Sequence, residues 1–259
     1  MAKIITYLGI FFLLLACEKG IQEPSILLAD LDDEFKIEMW EVLGEDNRSL
    51  NFILETIQHQ NCENQSIKAS VQNQDQQFIL NIEEITKPQI EECIEKQITA
   101  KGTSEFGEVK EDIYELQINL KSEVINKGKL LVSQEKYEIL MDSDFGFFLP
   151  HPTLHRIPEN TIWGYISYNN QTDEGIASDF IDRLSDFTAP ANLEKGYYGY
   201  FELNEKFELP QKPKEAHWAA FLLRSKGQMV SIRKTVHQFR RDHPNDIKIK
   251  MWTSEGEEI

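Results

Sequence analysis

Two histidines stand four residues apart in His151-Pro152-Thr153-Leu154-His155. On a helix both would face one metal ion, but Pro152 and Pro158 exclude a helix here. The pair is therefore expected in an extended interdomain segment, with no metal bound. Asp142-Ser143-Asp144-Phe145-Gly146 opens like a calcium loop, yet the later oxygen ligands and the closing bidentate glutamate are missing. It reads as a turn. His217 and His237 could each act as a base, but nothing in the sequence names a group to orient either. No Gly-x-Ser-x-Gly, His-Glu-x-x-His or phosphate loop occurs. The expectation is a protein that is not an enzyme and carries no cofactor. Arg233, Lys234, Arg240 and Arg241 form a basic cluster, with Lys234, His237 and Arg241 on one helical face. Cations in a last helical turn suit the helix dipole. The same face could dock onto an acidic surface, such as the N-terminal half of the chain.

Cysteine is used three times, at Cys17, Cys62 and Cys93, with no Cys-x-x-Cys pair to suggest zinc. Cys62 and Cys93 are expected to pair in an oxidising compartment, closing a loop that stabilises by roughly 3–4 kcal/mol on a chain-entropy estimate. Cys17 has a different setting. Lys3 is followed by an apolar run, Ile4 to Ala16, too short to span a bilayer and laid out like a secretory signal. The run ends Leu14-Leu15-Ala16-Cys17, which resembles the lipobox of bacterial lipoproteins. That resemblance implies cleavage before Cys17, a diacylglyceryl group on its thiol and acylation of the new amine. Residues 1–16 are then a signal peptide and 17–34 a lipidated tether.

These residues need elements to position them. From Phe35 to Met141 the dominant signal is period 2, as in Lys36-Ile37-Glu38-Met39-Trp40-Glu41-Val42 and Ile113 to Leu120. Seven or eight short strands predict an all-β sandwich over 35–142. Asp112 to Val132 resembles the last hairpin of immunoglobulin-like and fibronectin-type domains, with Tyr114 at the corner of the penultimate strand. Lys87 to Gln97 carries the one helical hint, a short turn opened by Pro88. Residues 143–158 are expected to link to a second domain at 159–259. Charge also steps near residue 150. Cys17 to Phe148 holds 12 Lys and Arg against 28 Asp and Glu; Leu149 to Ile259 holds 14 against 16. A chain of net charge −17 is a poor nucleic-acid binder, because phosphate contacts need basic patches.

The second domain alternates strand and helix. Thr161–Tyr168 reads as a strand. Ile176, Phe180, Leu184 and Phe187 mark a helix capped by Thr172 and stopped by Pro190. Tyr197–Leu203 and His217–Leu223 are strands, Met229, Ile232, Val236 and Phe239 a second helical face, and Ile247–Trp252 a last strand. The β-α-β-β-α-β order matches the ferredoxin-like α+β plan. Period 2 turns Ile162, Ile166, Ile247, Ile249 and Met251 toward the helices. It sends Trp163, Tyr165, Lys248, Lys250 and Trp252 to the opposite face, where Tyr198 and Tyr200 could join. Trp163, Tyr165 and Trp252 on that aromatic face are expected to be buried against something: the N-terminal sandwich or a partner subunit, or else a glycan or an extended peptide for which the face is the candidate binding surface. The whole layout resembles envelope lipoproteins of the Bacteroidota type. It implies a lipid-anchored, non-catalytic component of the cell envelope, at the outer membrane, bound to another envelope protein or a glycan.

Overall fold

A computed structural model of the chain describes residues 33–45, 47–89, 92–168, 170, 173–209, 213–214 and 217–259. The export signal, Cys17, nearly all of the tether and the cap expected at Thr172 lie outside these residues. Chain order runs β1 (Phe35–Val42), β2 (Ser49–Thr56), β3 (Gln60–Cys62), β4 (Ile67–Gln74), β5 (Gln77–Ile85), β6 (Glu95–Ile98), β7 (Lys101–Gly107), β8 (Asp112–Leu120), β9 (Val124–Val132), β10 (Lys136–Met141), β11 (Phe147–Phe148) and β12 (Thr153–His155). It continues β13 (Thr161–Tyr168), α1 (Glu174–Ser185), β14 (Thr188–Pro190), β15 (Gly196–Tyr197), β16 (Glu202–Leu203), β17 (Phe207–Glu208), β18 (His217–Ser225), α2 (Met229–Asp242) and β19 (Ile247–Thr253). The described chain is mostly β, and none of its helices is long and apolar enough to cross a membrane.

Alternation builds the first half as a sandwich. One sheet runs β11-β1-β2-β7 and the other β12-β10-β9-β8-β5-β4. Phe35, Ile37 and Met39 of β1 and Phe52 and Leu54 of β2 share one core with Leu116, Ile118, Leu130 and Ile139 of the larger sheet. Each such side chain contributes about 1.5–3 kcal/mol by leaving water. The β8–β9 hairpin is central in its sheet and is not the last hairpin, because β10 and β12 extend the sheet beyond β9. Tyr114 donates its hydroxyl proton to the Lys110 carbonyl four residues upstream at 3.1 Å. β5 and β8 pair in parallel, which requires a crossover; β6 and β7 supply it.

Two local expectations are adjusted. The stretch read as carrying a short helical turn, Lys87 to Gln97, does turn at Glu92, whose N–H donates to the Gln89 carbonyl at 2.8 Å, but its end from Glu95 is strand β6, which pairs with β3. The Cys62–Cys93 disulfide, with a Cα–Cα distance of 5.2 Å, ties the end of β3 to the segment that enters β6. Residues 143–158, read as a linker, supply β11 to one sheet and β12 to the other. Phe147 and Leu154 from this stretch are core residues. The Asp142–Gly146 turn is held by Asn126, which donates to the Phe145 carbonyl at 3.0 Å and accepts from its N–H at 2.9 Å.

In the second half, an antiparallel sheet runs β14-β18-β13-β19. Phe180 and Leu184 of α1 and Val236 and Phe239 of α2 cover Ile162, Ile166, Ile249 and Met251. The edge strand beside β18 is Thr188–Pro190, where sequence pattern suggested only a helix stop. Tyr197–Leu203 is not a strand of this sheet. Gly199 takes φ +78°, a left-handed conformation that interrupts the extended run. The chain turns there, with the Tyr198 N–H donating to the Phe201 carbonyl at 2.9 Å, and β15, β16 and β17 make a small sheet of their own. The basic residues of α2 do not dock on the sandwich. Arg233 pairs with Glu257, Arg240 donates to the Ile249 and Ile259 carbonyls, and Lys234, His237 and Arg241 are exposed.

Candidate functional site

Strand β1 has an inverted pattern at its end. Lys36, Glu38 and Trp40 point away from the sandwich core, so an indole falls on the polar face. Ile37, Met39 and Glu41 point inward, so a carboxylate falls on the apolar one. The two faces lead to two different sites.

Outward, Lys36, Glu38 and Trp40 combine with Ile53 and Glu55 of β2 and Lys101 of β7 into the floor of a groove of about 790 Å³. Its far wall is His151, Tyr197, Gly199, Glu202, Glu208 and Leu209. Lys36 bridges Glu55 at 2.8 Å and Glu38 at 3.1 Å. Burial acts to lower the lysine pKa, but the hydrogen bonds to these carboxylates outweigh it and hold the ammonium above its ordinary value. For Glu55 burial acts upward; the bonds from Lys36 and from the Thr99 hydroxyl, the latter at 2.5 Å, hold the carboxyl below its usual range.

The wall is set by aromatic packing. His151 stacks on Tyr197 with centroids 3.9 Å apart and planes at 11°. Burial, then the charges of Glu38 and Glu202, raise the Tyr197 phenol above its ordinary range. One carboxylate comes from the floor and the other from the wall, and both act on this phenol. Trp40 packs on Tyr200, with ring centroids 4.4 Å apart. A Cβ on Gly199 would touch the Trp40 ring at 3.5 Å. Gly196 has φ +151°, and a Cβ there would lie 2.5 Å from the His155 ring. His155 in turn packs on Tyr198 at 5.1 Å. Burial pushes its imidazole below the ordinary value, and burial then Glu194 push the Tyr198 phenol up to about 12.

Inward, Glu41 is 2% exposed. It accepts hydrogen bonds from Arg156 Nε at 2.8 Å, the Tyr137 hydroxyl at 3.0 Å and Arg48 Nη1 at 3.3 Å. Arg48 also donates to the Ile157 carbonyl at 2.7 Å and the Ser254 carbonyl at 3.0 Å. A second cleft of about 700 Å³ opens beside these arginines. Their charges are already committed to Glu41 and to backbone oxygens, so the cleft is a poor anion site, while Arg48, through Ser254, makes a joint between the two halves.

The sequence-nominated residues fall elsewhere. Trp163 is 1% exposed, and Tyr165 and Tyr198 are also buried. They pack with Leu43, Ile157, Phe201 and Leu209, with Tyr200 and Trp252 partly buried against them. The aromatic face is thus covered, because the segment that was expected to extend the sheet folds over it instead. Trp252 donates to Glu258 at 3.2 Å, and Lys250 lies 3.6 Å from the same carboxylate. Lys248 is exposed at the outer edge strand. Cys62 and Cys93 are joined to each other. Sequence reasoning missed Glu38, Trp40, Tyr197, Glu202 and Glu208, and singled out His151 only as half of a metal pair that the prolines argued against. The one signal available was Trp40 on the polar register of β1. Among the described residues no group of three or more His, Cys, Asp or Glu could hold a metal ion. Comparison with known proteins gave no matching family, no matching curated relative and no matching solved structure.

Proposed function

We propose that this protein is a non-catalytic binding component of the cell envelope, lipid-anchored at Cys17, that holds an extended partner polymer in the groove between β1, β2 and β7 and the β15–β17 wall. The observation that carries this reading is the groove itself. It is large, it is lined by the rings of Trp40 on its floor and His151 and Tyr197 on its wall, and Lys36 and Glu55 at its floor are locked in ion pairs. Groups tied in that way position a ligand better than they transfer protons. Concave sites of roughly 300–1,000 Å³ with a few polar groups are where ligands usually bind.

The architecture proposed with it is an immunoglobulin-like sandwich followed by a ferredoxin-like layer. Support for the first is the Tyr114–Lys110 hydrogen bond, which has the form of a tyrosine corner. Support for the second is the order β19-β13-β18-β14 with both helices on one face. The anchor is supported by Leu14-Leu15-Ala16-Cys17.

The test has two arms. Cys17→Ser should move the protein out of the membrane fraction; a wild type that takes up no fatty-acid label removes the anchor. Trp40→Ala should weaken binding of peptide or glycan ligands found by array screening at least tenfold while the protein stays folded. Unchanged binding removes the groove.

A further inference from the structure

We propose that the occupant of this groove is an extended peptide that inserts a lysine or arginine side chain, its charge among Glu38, Glu202 and Glu208 and its stem along Trp40 and Tyr197. The inference rests on the groove being the binding site and adds the chemistry of what enters it.

Charge pairing within the groove is incomplete. Lys36 is committed to Glu38 and Glu55, and Lys101 stands 3.7 Å from Glu55. Glu202 and Glu208 are left with no ion pair or side-chain hydrogen bond among the described residues. They are also direct register partners across β16 and β17. Like charges placed opposite one another on neighbouring strands destabilise the pair. A two-residue strand pairing has little else to offset that repulsion, so a cation between them would stabilise the wall as it binds. The rings favour the same occupant. Tyr and Trp faces attract ammonium and guanidinium groups, and long basic side chains lay their methylenes on apolar surface.

Other ligand classes fit less well. A neutral sugar would stack on the rings and leave the carboxylates uncompensated. A divalent cation finds no three-ligand set among the described residues. An anionic polymer meets a net acidic groove on a chain of net charge −17. That same field would steer a basic segment toward the site.

The experiment uses the full chain in detergent and isothermal titration with four probes: tetralysine, tetra-arginine, fully acetylated tetralysine and a neutral chito-tetrasaccharide. Tetralysine or tetra-arginine should bind, and binding should weaken as salt rises. The acetylated peptide should bind at least tenfold more weakly. The double variant Glu202→Gln/Glu208→Gln should lose at least tenfold in affinity for the basic peptides, with Tm equal to or above wild type because the repulsion is gone. Equal binding of acetylated and free tetralysine, or an unaffected double variant, overturns the cationic assignment. A lower Tm in the double variant overturns the repulsion on which it stands. If only the saccharide binds and Trp40→Ala abolishes that, the groove survives and the basic peptide does not. If no probe binds, the cationic assignment is overturned, while the groove stands or falls on array-selected ligands and Trp40→Ala.

Discussion

Glu38 and Glu41 lie three residues apart on one strand and have opposite fates. Glu38 faces the groove, paired with one lysine and within reach of solvent. Glu41 faces the end of the core and receives two arginines and a tyrosine. Period 2 alone separates them, since an odd offset puts two side chains on opposite faces of a strand. The difference teaches how a carboxylate's role is decided by its surroundings. A buried charge must be fully compensated, because taking it out of water costs several kcal/mol. Once compensated it has nothing left to offer a ligand. Glu38, with Glu202 and Glu208 opposite, keeps that capacity.

Removing the inward carboxylate should have the largest effect. Glu41→Ala strands Arg48, Arg156 and the Tyr137 hydroxyl in a buried site, and should cost about 3–5 kcal/mol in urea unfolding. Glu41→Gln should fall between that and wild type. A loss below about 1 kcal/mol would mean the inward site is no more demanding than the outward one. The groove wall comes next. Gly196→Ala puts a Cβ 2.5 Å from the His155 ring at a backbone conformation open only to glycine, and should cost about 1–3 kcal/mol while weakening peptide binding. Unchanged stability in the Gly196→Ala variant would show that the wall shifts freely.

A pH series separates the wall from the joint. The folded-state pKa of His155 is held below the ordinary imidazole value, first by burial. A depressed group contributes stability above its unfolded pKa and loses it as pH falls through the folded pKa. Stability should therefore drop on acidification below about pH 6.5, and His155→Gln should flatten that slope. A slope that persists in the variant assigns it to another group. The smallest effect belongs to the outward carboxylate. Glu38→Gln breaks one partly exposed ion pair and should change stability by no more than about 1 kcal/mol, readable as a small Tm shift. A loss as large as that of Glu41→Ala would erase the contrast between the two faces.

Much of the fold was legible along the chain. The alternation of β1, β2 and β8 placed the sandwich core, and the 3–4 spacing of Phe180, Leu184, Val236 and Phe239 placed both helices. The Cys62–Cys93 pair followed from cysteine count. These readings succeed because burial on one face imposes a local period that any strand or helix must obey. Even the inversion at Trp40 and Glu41 is written in the sequence, as an indole on the polar register and a carboxylate on the apolar one.

Tertiary structure decided the rest. Tyr197–Leu203 has the composition of a strand, yet Gly199 turns it back over Trp163 and Tyr165 and closes the face that period 2 had left open. Residues 143–158 look like a linker because of Pro152 and Pro158, yet Phe147 and Leu154 enter the core. The groove joins Lys36 and Lys101 to His151 and Glu208, residues far apart in sequence. No local period encodes such a meeting. It depends on which surfaces exclude water from one another once the two halves pack, and on partners such as Arg48 and Ser254 whose contact spans the length of the fold.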